Sequence, residues 1–246
     1  MKILVCISKA PDTTSRIAFS ADQTAFDENG VQFIVNPYDE WYALVRALEL
    51  KETLGGTVTT ISVGGADYEP IIRKALAIGA DDAVRIDAAE SDSLFVATQI
   101  ANYAKGKGFD LILSGKETIN YNGSVVPGMI AELLDVPFIP LAMKLNVEGT
   151  VAVIEREVTG GVEVVEANLP VVISAAKGMA EQRIPNMRGI MAARTKPLVT
   201  EQAAAVNATT RVKAYSMPPA KGACKYIPAD QAGELIRILH EEAKVI

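Results

Sequence analysis

The chain has 246 residues, of which 49% are hydrophobic, so one large domain or one domain with an extension can bury a substantial core. Its 24 basic and 30 acidic residues give a formal net charge of −6, which argues against nucleic-acid binding through a basic surface. Two distant cysteines, Cys6 and Cys224, and one histidine, His240, provide no pattern for a disulfide framework, a metal site or histidine-based hydrolysis.

The apolar runs of the sequence are short. None approaches the roughly 20 residues that a membrane-spanning helix requires. The N-terminal run is followed by no small-residue cleavage site, so it indicates a first strand and not a signal peptide. We therefore expect no direct membrane insertion and a bacterial cytoplasmic location with reduced cysteines.

Strand and helix patterns alternate over the first 134 residues. A helix opens at Asn36 as its N-cap, with Pro37 in its first turn, and Gly55-Gly56 ends it. Ser91-Asp92-Ser93 caps a later helix. The predicted strands cover 2–8, 57–65, 83–87 and 110–114, a hairpin excursion covers 16–35, and the other helices cover 67–79, 93–105 and 123–134. This order predicts an α/β fold with an open, mostly parallel sheet and helices on both faces.

The pattern changes in the last third of the chain. Two alternating runs, 151–158 and 162–169, flank Thr159-Gly160-Gly161 and predict a β-hairpin, which a strand at 171–175 follows. From 185 onward the chain has too few apolar residues for a core of its own. We expect a nucleotide-binding α/β domain over 1–184. Residues 185–246 then form a partner-recognition loop and a C-terminal arm, with a terminal helix whose apolar face carries Ala232, Leu235, Ile236 and Leu239.

Four predicted strand ends are candidates for a nucleotide site, because ligands of open α/β sheets sit beyond the carboxyl ends of the strands. They begin at Cys6, Asn36, Val63 and Gly115. Two of them also have a plain structural interpretation: Gly64-Gly65 as a turn and Asn36-Pro37 as a helix cap. No standard phosphate motif is present, since Gly115-Lys116 is followed by Glu117 and no G-x-G-x-x-G follows the first strand.

Several segments resemble the β subunit of electron transfer flavoproteins over nearly the whole chain. They are KAPDTTSRI, VNPYDEWYALVRALELKE, IRKALAIGADDAVRI and DLILSGKETI, with the hairpin REVTGGVEVVEANLPVVISA and the loop NMRGIMAARTKP as the most specific. The resemblance implies an adenine nucleotide α-hydrolase-like core and a heterodimer with an α subunit that holds FAD. It also implies a structural AMP in this chain.

The same resemblance implies particular site residues and partners. Met187 matches the apolar anchor that docks on flavin dehydrogenases such as acyl-CoA dehydrogenases of fatty acid oxidation, and a membrane quinone oxidoreductase accepts the electrons. Arg156 and Glu157 match a pair near the FAD of the α subunit, although the strand pattern alone indicates solvated charges. The AMP contacts match Cys6, Asn36, Pro37, Tyr38, Asp39, Val63, Gly115, Lys116, Glu117, Thr118, Ile119, Asn120, Tyr121, Asn122, Gly123, Ser124, Val125 and Val126.

The sequence departs from the family pattern in the loop after Gly115. Asn120 and Asn122 replace two acidic residues, Val125 replaces a glutamine, and Thr159 replaces an acidic residue of the hairpin signature. Fewer negative charges ease anion binding. Two alternatives to a simple carrier stay open: an electron-bifurcating type with FAD in this chain that oxidises NADH, and a stand-alone adenine-nucleotide-binding protein of the stress type.

Overall fold

The computed structural model describes residues 1–37, 39–89, 92–119 and 121–246. Tyr38 and Asn120 of the predicted nucleotide site lie outside the described residues, as does Ser91 of the predicted helix cap.

The described residues form eleven strands and six α-helices. The strands are β1 (Lys2–Cys6), β2 (Lys9–Pro11), β3 (Phe33–Val35), β4 (Thr57–Val63), β5 (Asp82–Asp87), β6 (Leu111–Gly115), β7 (Phe138–Glu148), β8 (Val151–Val158), β9 (Gly161–Asn168), β10 (Val171–Ala175) and β11 (Leu198–Gln202). The helices are α1 (Glu40–Leu54), α2 (Glu69–Ile78), α3 (Ser93–Ala104), α4 (Val126–Leu134), α5 (Met187–Ala193) and α6 (Ala232–Arg237).

Nine of the strands form one sheet in the spatial order β11-β5-β4-β1-β6-β10-β7-β8-β9. The pairs from β11 to β7 are parallel, and β7, β8 and β9 pair antiparallel at one edge. Strands β2 and β3 form a separate antiparallel pair, of which β3 lies within the predicted hairpin excursion over 16–35 and β2 precedes it. The predicted α/β class is therefore confirmed.

Alternate side chains of the central strands enter two different cores, because successive residues of a strand point to opposite faces of the sheet. Ile3 and Val5 pack in the core that contains α1 and α2. Leu4 and Cys6 pack in the second core, to which α3 and α4 contribute. This division confirms helices on both faces and places the end of β1 against the second core.

Strand β7 is absent from the sequence prediction. Its pairing register shifts between Ala142 and Lys144, and Leu141 has a left-handed backbone with a φ of 59°. A bulge of this kind breaks the period of two that identifies a strand, so the sequence shows no continuous alternation. The predicted hairpin is confirmed as β8 and β9, joined through Thr159 and Gly160.

The C-terminal part of the chain adds one more strand that the sequence prediction lacks. Strand β11 pairs in parallel with β5 at the other edge of the sheet, and its mixed sequence LVTEQ carries no clear alternation. Beyond Gln202 most residues are exposed. The terminal helix is present as α6, followed by a π-helical turn, and Leu235 and Ile236 of its predicted apolar face are exposed.

Two helices begin later than the sequence predicts. Helix α1 begins at Glu40, and Asn36 is not its N-cap, because the buried Asn36 side chain donates instead to the carbonyl of Glu117 at 2.7 Å. Helix α4 begins at Val126 and not at Gly123. Asn122 and Ser124 have φ values of 48° and 53°, which an α-helix does not accommodate. Among the described helices, none has the length and apolar character needed to cross a membrane.

Substitution of Ile130 tests the packing of α4 on the sheet. Ile130 is fully buried in the second core, so Ile130→Ala is expected to lower the free energy of unfolding by about 2–5 kcal/mol. Leu133→Ala on the exposed side of the same helix is the control and should change it by less than about 0.5 kcal/mol. Urea unfolding followed by circular dichroism measures both, and equal losses would contradict this packing.

Candidate functional site

A cavity of about 810 Å³ lies at the carboxyl ends of β1, β4 and β6. This is the edge of a parallel sheet at which α/β proteins bind ligands. Helices α3 and α4 border the cavity on one face of the sheet. The loop of residues 115–125 between β6 and α4 contributes to its wall, and residues 24–26 and part of the C-terminal arm complete it.

The floor of the cavity is apolar and continues the second core. It consists of Cys6, Ile61, Val63, Val96 and Ile100. Burial raises the pKa of the Cys6 thiol to about 12, so Cys6 is a neutral apolar wall residue and not a nucleophile. A floor of this kind suits the face of a flat ring better than a charged group.

One polar atom at this floor lacks a partner. Ser114, the penultimate residue of β6, lines the cavity and is 5% exposed, and no described residue hydrogen-bonds its Oγ. Buried hydroxyl groups nearly always have a hydrogen-bond partner. The orphaned Oγ therefore fits a ligand atom with hydrogen-bonding capacity above the floor.

The first turn of α1 packs closely against the end of β6. A Cβ atom at Gly115 would lie 2.8 Å from the Cβ of Asp39 and 2.9 Å from the backbone nitrogen of Glu40. Only glycine permits this approach without displacement of the backbone. The contact brings Asp39 and Glu40, both about 5% exposed, beneath the loop that begins at Gly115.

Glu40 connects this turn to the end of β1. Its carboxyl group accepts hydrogen bonds from the Ser8 backbone N–H at 2.9 Å and the Ser8 hydroxyl at 2.6 Å. Burial raises the pKa of Glu40 to about 7, against the lowering effect of those two hydrogen bonds. Burial likewise raises the pKa of Asp39 to about 6, although the charge of Lys116 opposes it. Near neutral pH this acidic pair therefore carries less than its full negative charge.

The loop above the cavity is held by its own polar contacts. Glu117 lies 3.3 Å from the Lys116 ammonium group and accepts a hydrogen bond of 3.2 Å from the Ser124 hydroxyl. Its backbone carbonyl accepts the hydrogen bond from Asn36. The left-handed residues Asn122 and Ser124 turn the chain into the start of α4. Free backbone N–H groups at such a helix start favour an anion.

Most of the residues that the sequence predicts for the nucleotide site come together here. Those that line the cavity are Cys6, Val63, Gly115, Lys116, Glu117, Thr118, Tyr121, Gly123, Ser124, Val125 and Val126. The remaining described ones do not line it: Asn36, Pro37, Asp39, Ile119 and Asn122. Asn36 and Asp39 instead support the loop from behind.

The sequence prediction lacks several residues of the cavity wall. They include Glu40, Tyr68, Asp92 and the arm residues Ala208, Thr210, Arg211, Val212 and Tyr215. Glu40 directly follows the predicted Asn36–Asp39 segment, so its position in the sequence could have indicated that it belongs to the site. The arm residues are more than 80 positions away from the loop and follow no motif, so only the folded chain brings them to the cavity.

Three predicted functional residues lie away from the cavity. Arg156 and Glu157 are on β8 at the antiparallel edge, where Arg156 forms an ion pair of 2.5 Å with Glu163 of β9. Met187 is the first residue of α5 and is 74% exposed. The side chain of Asn186 caps that helix by accepting from the Gly189 N–H at 2.9 Å, which fixes the position of Met187 on the surface.

Comparisons with known proteins agree on one family. The electron transfer flavoprotein domain model matches residues 23–206. The chain is 38% identical to the electron transfer flavoprotein subunit beta of Bacillus subtilis, with all of both chains covered. It is 35% identical to the same subunit of Syntrophomonas wolfei, covering 91% of this chain and 88% of the relative. It is 30% identical to the caffeyl-CoA reductase-Etf complex subunit CarD of Acetobacterium woodii, covering 98% and 99%.

The buried carboxyl group of Glu40 predicts a pH dependence of stability. Its pKa is about 7 in the folded chain and 4.5 ordinarily, so the folded state holds the proton more tightly than the unfolded state. Unfolding therefore becomes easier as the pH rises from about 4.5 to about 7. Glu40→Gln removes this effect. The free energy of unfolding of the variant minus that of the original protein should therefore increase by roughly 2 kcal/mol between pH 5 and pH 8.

Urea unfolding at both pH values measures this difference. Glu132→Gln on the exposed surface of α4 is the control and should leave the pH dependence unaltered. A constant difference between Glu40→Gln and the original protein would show that Glu40 is already ionised at pH 5.

Proposed function

The chain belongs to the electron transfer flavoprotein β-subunit family, and on that premise we propose that it is half of a heterodimeric electron carrier. The α subunit holds most of the FAD, which takes electrons from flavin dehydrogenases such as acyl-CoA dehydrogenases and passes them to a membrane quinone oxidoreductase. This chain binds AMP as a structural ligand. The pair works in the bacterial cytoplasm, consistent with two free cysteines.

The observation that carries the nucleotide assignment is the cavity at the sheet edge. It combines an apolar floor, an unpartnered Ser114 hydroxyl and a polar loop, and eleven of the predicted contact residues line it. An apolar floor with a few convergent polar groups is the usual composition of a small-ligand site. The adenine ring suits the floor, and the phosphate suits the loop and the start of α4.

The states of two buried titratable groups at the cavity, Cys6 and Glu40, support a carrier role. Cys6 holds its proton, and Glu40 is occupied by Ser8. A bound flavin supplies the electron chemistry by itself, so the protein needs only to position it and tune its surroundings. We assign the latter role to Arg156 and Glu157, on an edge hairpin whose Val158, Val162 and Val164 are exposed.

The C-terminal arm supports a heterodimer. It exposes Met217, Tyr226, Leu235, Ile236 and Val245, with Tyr226 90% exposed. Apolar side chains spread over an extended segment are typical of a chain that packs on a partner. The α subunit is the partner that the family provides, which argues against a stand-alone adenine-nucleotide-binding regulator.

Met187 provides the docking contact for dehydrogenases. It lies with Ile184 and Met191 in an exposed apolar cluster on and just before α5. Methionine packs adaptably against different surfaces. A small contact of this kind suits brief electron-transfer encounters.

Electron bifurcation with FAD in this chain is the second candidate. The cavity of about 810 Å³ lies in the upper part of the range of roughly 300–1,000 Å³ for small-ligand sites, which leaves room for a dinucleotide. One relative, CarD, is named as a subunit of a caffeyl-CoA reductase-Etf complex. Asn122 and Val125, two of the departures from the family pattern, lie in the loop that would discriminate between AMP and FAD.

Cofactor content decides between the two candidates. The purified heterodimer is denatured, and its flavin and nucleotide are quantified by chromatography. The carrier predicts one FAD and one AMP per heterodimer. Two FAD molecules without AMP would establish the bifurcating type, and a chain that purifies without an α subunit and without flavin would contradict both.

Substitution of Met187 tests the docking role. Met187→Ala should lower the rate of flavin reduction by a reduced dehydrogenase about tenfold through weaker docking, with FAD and AMP content intact, since an exposed side chain supports no fold contact. Leu54→Ala at the end of α1, 50% exposed, is the control and should leave the rate unchanged. Loss of cofactor in Met187→Ala, or an unaltered rate, would contradict the docking role.

A further inference from the structure

We infer that residues 204–215 of the C-terminal arm, here called the strap, close the nucleotide cavity, and that Arg211 of the strap binds the phosphate of the nucleotide. This inference rests on the proposed nucleotide site in this chain. It extends that site to a segment of the arm that no sequence motif marks.

Hydrogen bonds and a ring contact hold the strap in place at three points. At its start, the Gln99 side chain of α3 accepts from the Ala204 N–H at 2.8 Å and donates to the Ala204 carbonyl at 2.9 Å. At its end, the Tyr215 ring stacks on the Phe19 ring with 5.0 Å between centroids. The backbone N–H of Tyr215 donates to the Gln23 carbonyl at 2.8 Å. The strap therefore runs from α3 to the 19–26 loop, both of which border the cavity.

Asp92 is the third and central attachment point. One oxygen of its carboxylate caps α3 by accepting from the Phe95 N–H at 2.8 Å. The other accepts from the backbone N–H and hydroxyl groups of Thr209 and Thr210 at 2.6–3.2 Å. These bonds, with the Phe95 N–H first, hold the pKa of Asp92 below its usual range, so it stays charged. Arg211 directly follows the two anchored threonines.

The charges around the cavity show why an arginine is needed there. Among the described lining residues, Glu28, Glu40, Asp92 and Glu117 are acidic, and only Lys116 and Arg211 are basic. Lys116 lies 3.3 Å from Glu117, so part of its charge is already compensated. Arg211 is exposed and lines the cavity, and no described residue forms an ion pair or hydrogen bond with its guanidinium group.

A phosphate monoester is the chemical group that this arrangement recognises. A guanidinium group donates two parallel hydrogen bonds to two phosphate oxygens, a geometry that the lysine ammonium group does not offer. The strap thus adds a cation to a lining that contains more acidic than basic groups among its described residues. We therefore expect the cavity to bind a nucleoside phosphate more tightly than the same nucleoside without phosphate.

Calorimetric titration of the heterodimer tests the role of Arg211. The heterodimer is first freed of nucleotide by dialysis at high salt and is then titrated with AMP and, separately, with adenosine. Arg211→Gln should weaken AMP binding at least about tenfold while leaving adenosine binding unchanged, because a charge-assisted hydrogen-bond pair to phosphate is lost. Arg211→Lys should recover part of the affinity for AMP.

The control is Lys213→Gln, two residues further along the strap, which is exposed and does not line the cavity. It should bind both compounds like the original protein. Equal AMP affinity in Arg211→Gln and the original protein would overturn the inference, as would an equal loss for AMP and adenosine. If the original heterodimer binds no AMP, the proposed nucleotide site fails, and the inference fails with it.

Discussion

The close approach of the first turn of α1 to Gly115 is the contact on which the cavity at the sheet edge depends. It is possible because position 115 has no side chain, and it places Asp39 and Glu40 beneath the loop that follows β6. From there Glu40 reaches Ser8 at the end of β1, and the buried Asn36 supports the Glu117 carbonyl. The ends of β1 and β6 and the start of α1 are thereby joined into one rigid wall, above which the loop can shape a ligand site.

The described lining of the cavity contains more acidic than basic groups, which would oppose the binding of a phosphate unless the negative charge is reduced. The fold reduces that negative charge in different ways. Burial favours the protonated form of Glu40, the Lys116 ammonium group lies beside Glu117, and Asp92 is surrounded by the N–H and hydroxyl groups of α3 and the strap. Arg211 adds a positive charge from a segment remote in sequence. In the arrangement that we propose, the first residues of the arm close the cavity, and its exposed remainder packs on the α subunit.

Local patterns allowed much of this fold to be predicted from the sequence. Short apolar runs identified β1, β4, β5 and β6, and the glycine-rich turn identified the β8–β9 hairpin, because these signals depend only on neighbouring residues. The bulged β7 and the short β11 were missed because pairing with distant strands, and not local alternation, defines them. The start of α1 was misplaced because Asn36 bonds to Glu117, 81 positions away. The strap escaped prediction for the same reason, since Asp92 fixes it from 117 positions away.

Our central proposal is a flavin heterodimer in which this chain encloses a structural nucleotide between the loop after β6 and the strap. One measurement tests it most directly. A crystal structure of the heterodimer, prepared with AMP, should show the adenine ring on the floor formed by Cys6, Val63 and Val96. The phosphate should lie between the start of α4 and the Arg211 guanidinium, with FAD bound mainly by the α subunit. An empty cavity at saturating AMP, or a nucleotide bound elsewhere with the strap detached from Asp92, would contradict this arrangement.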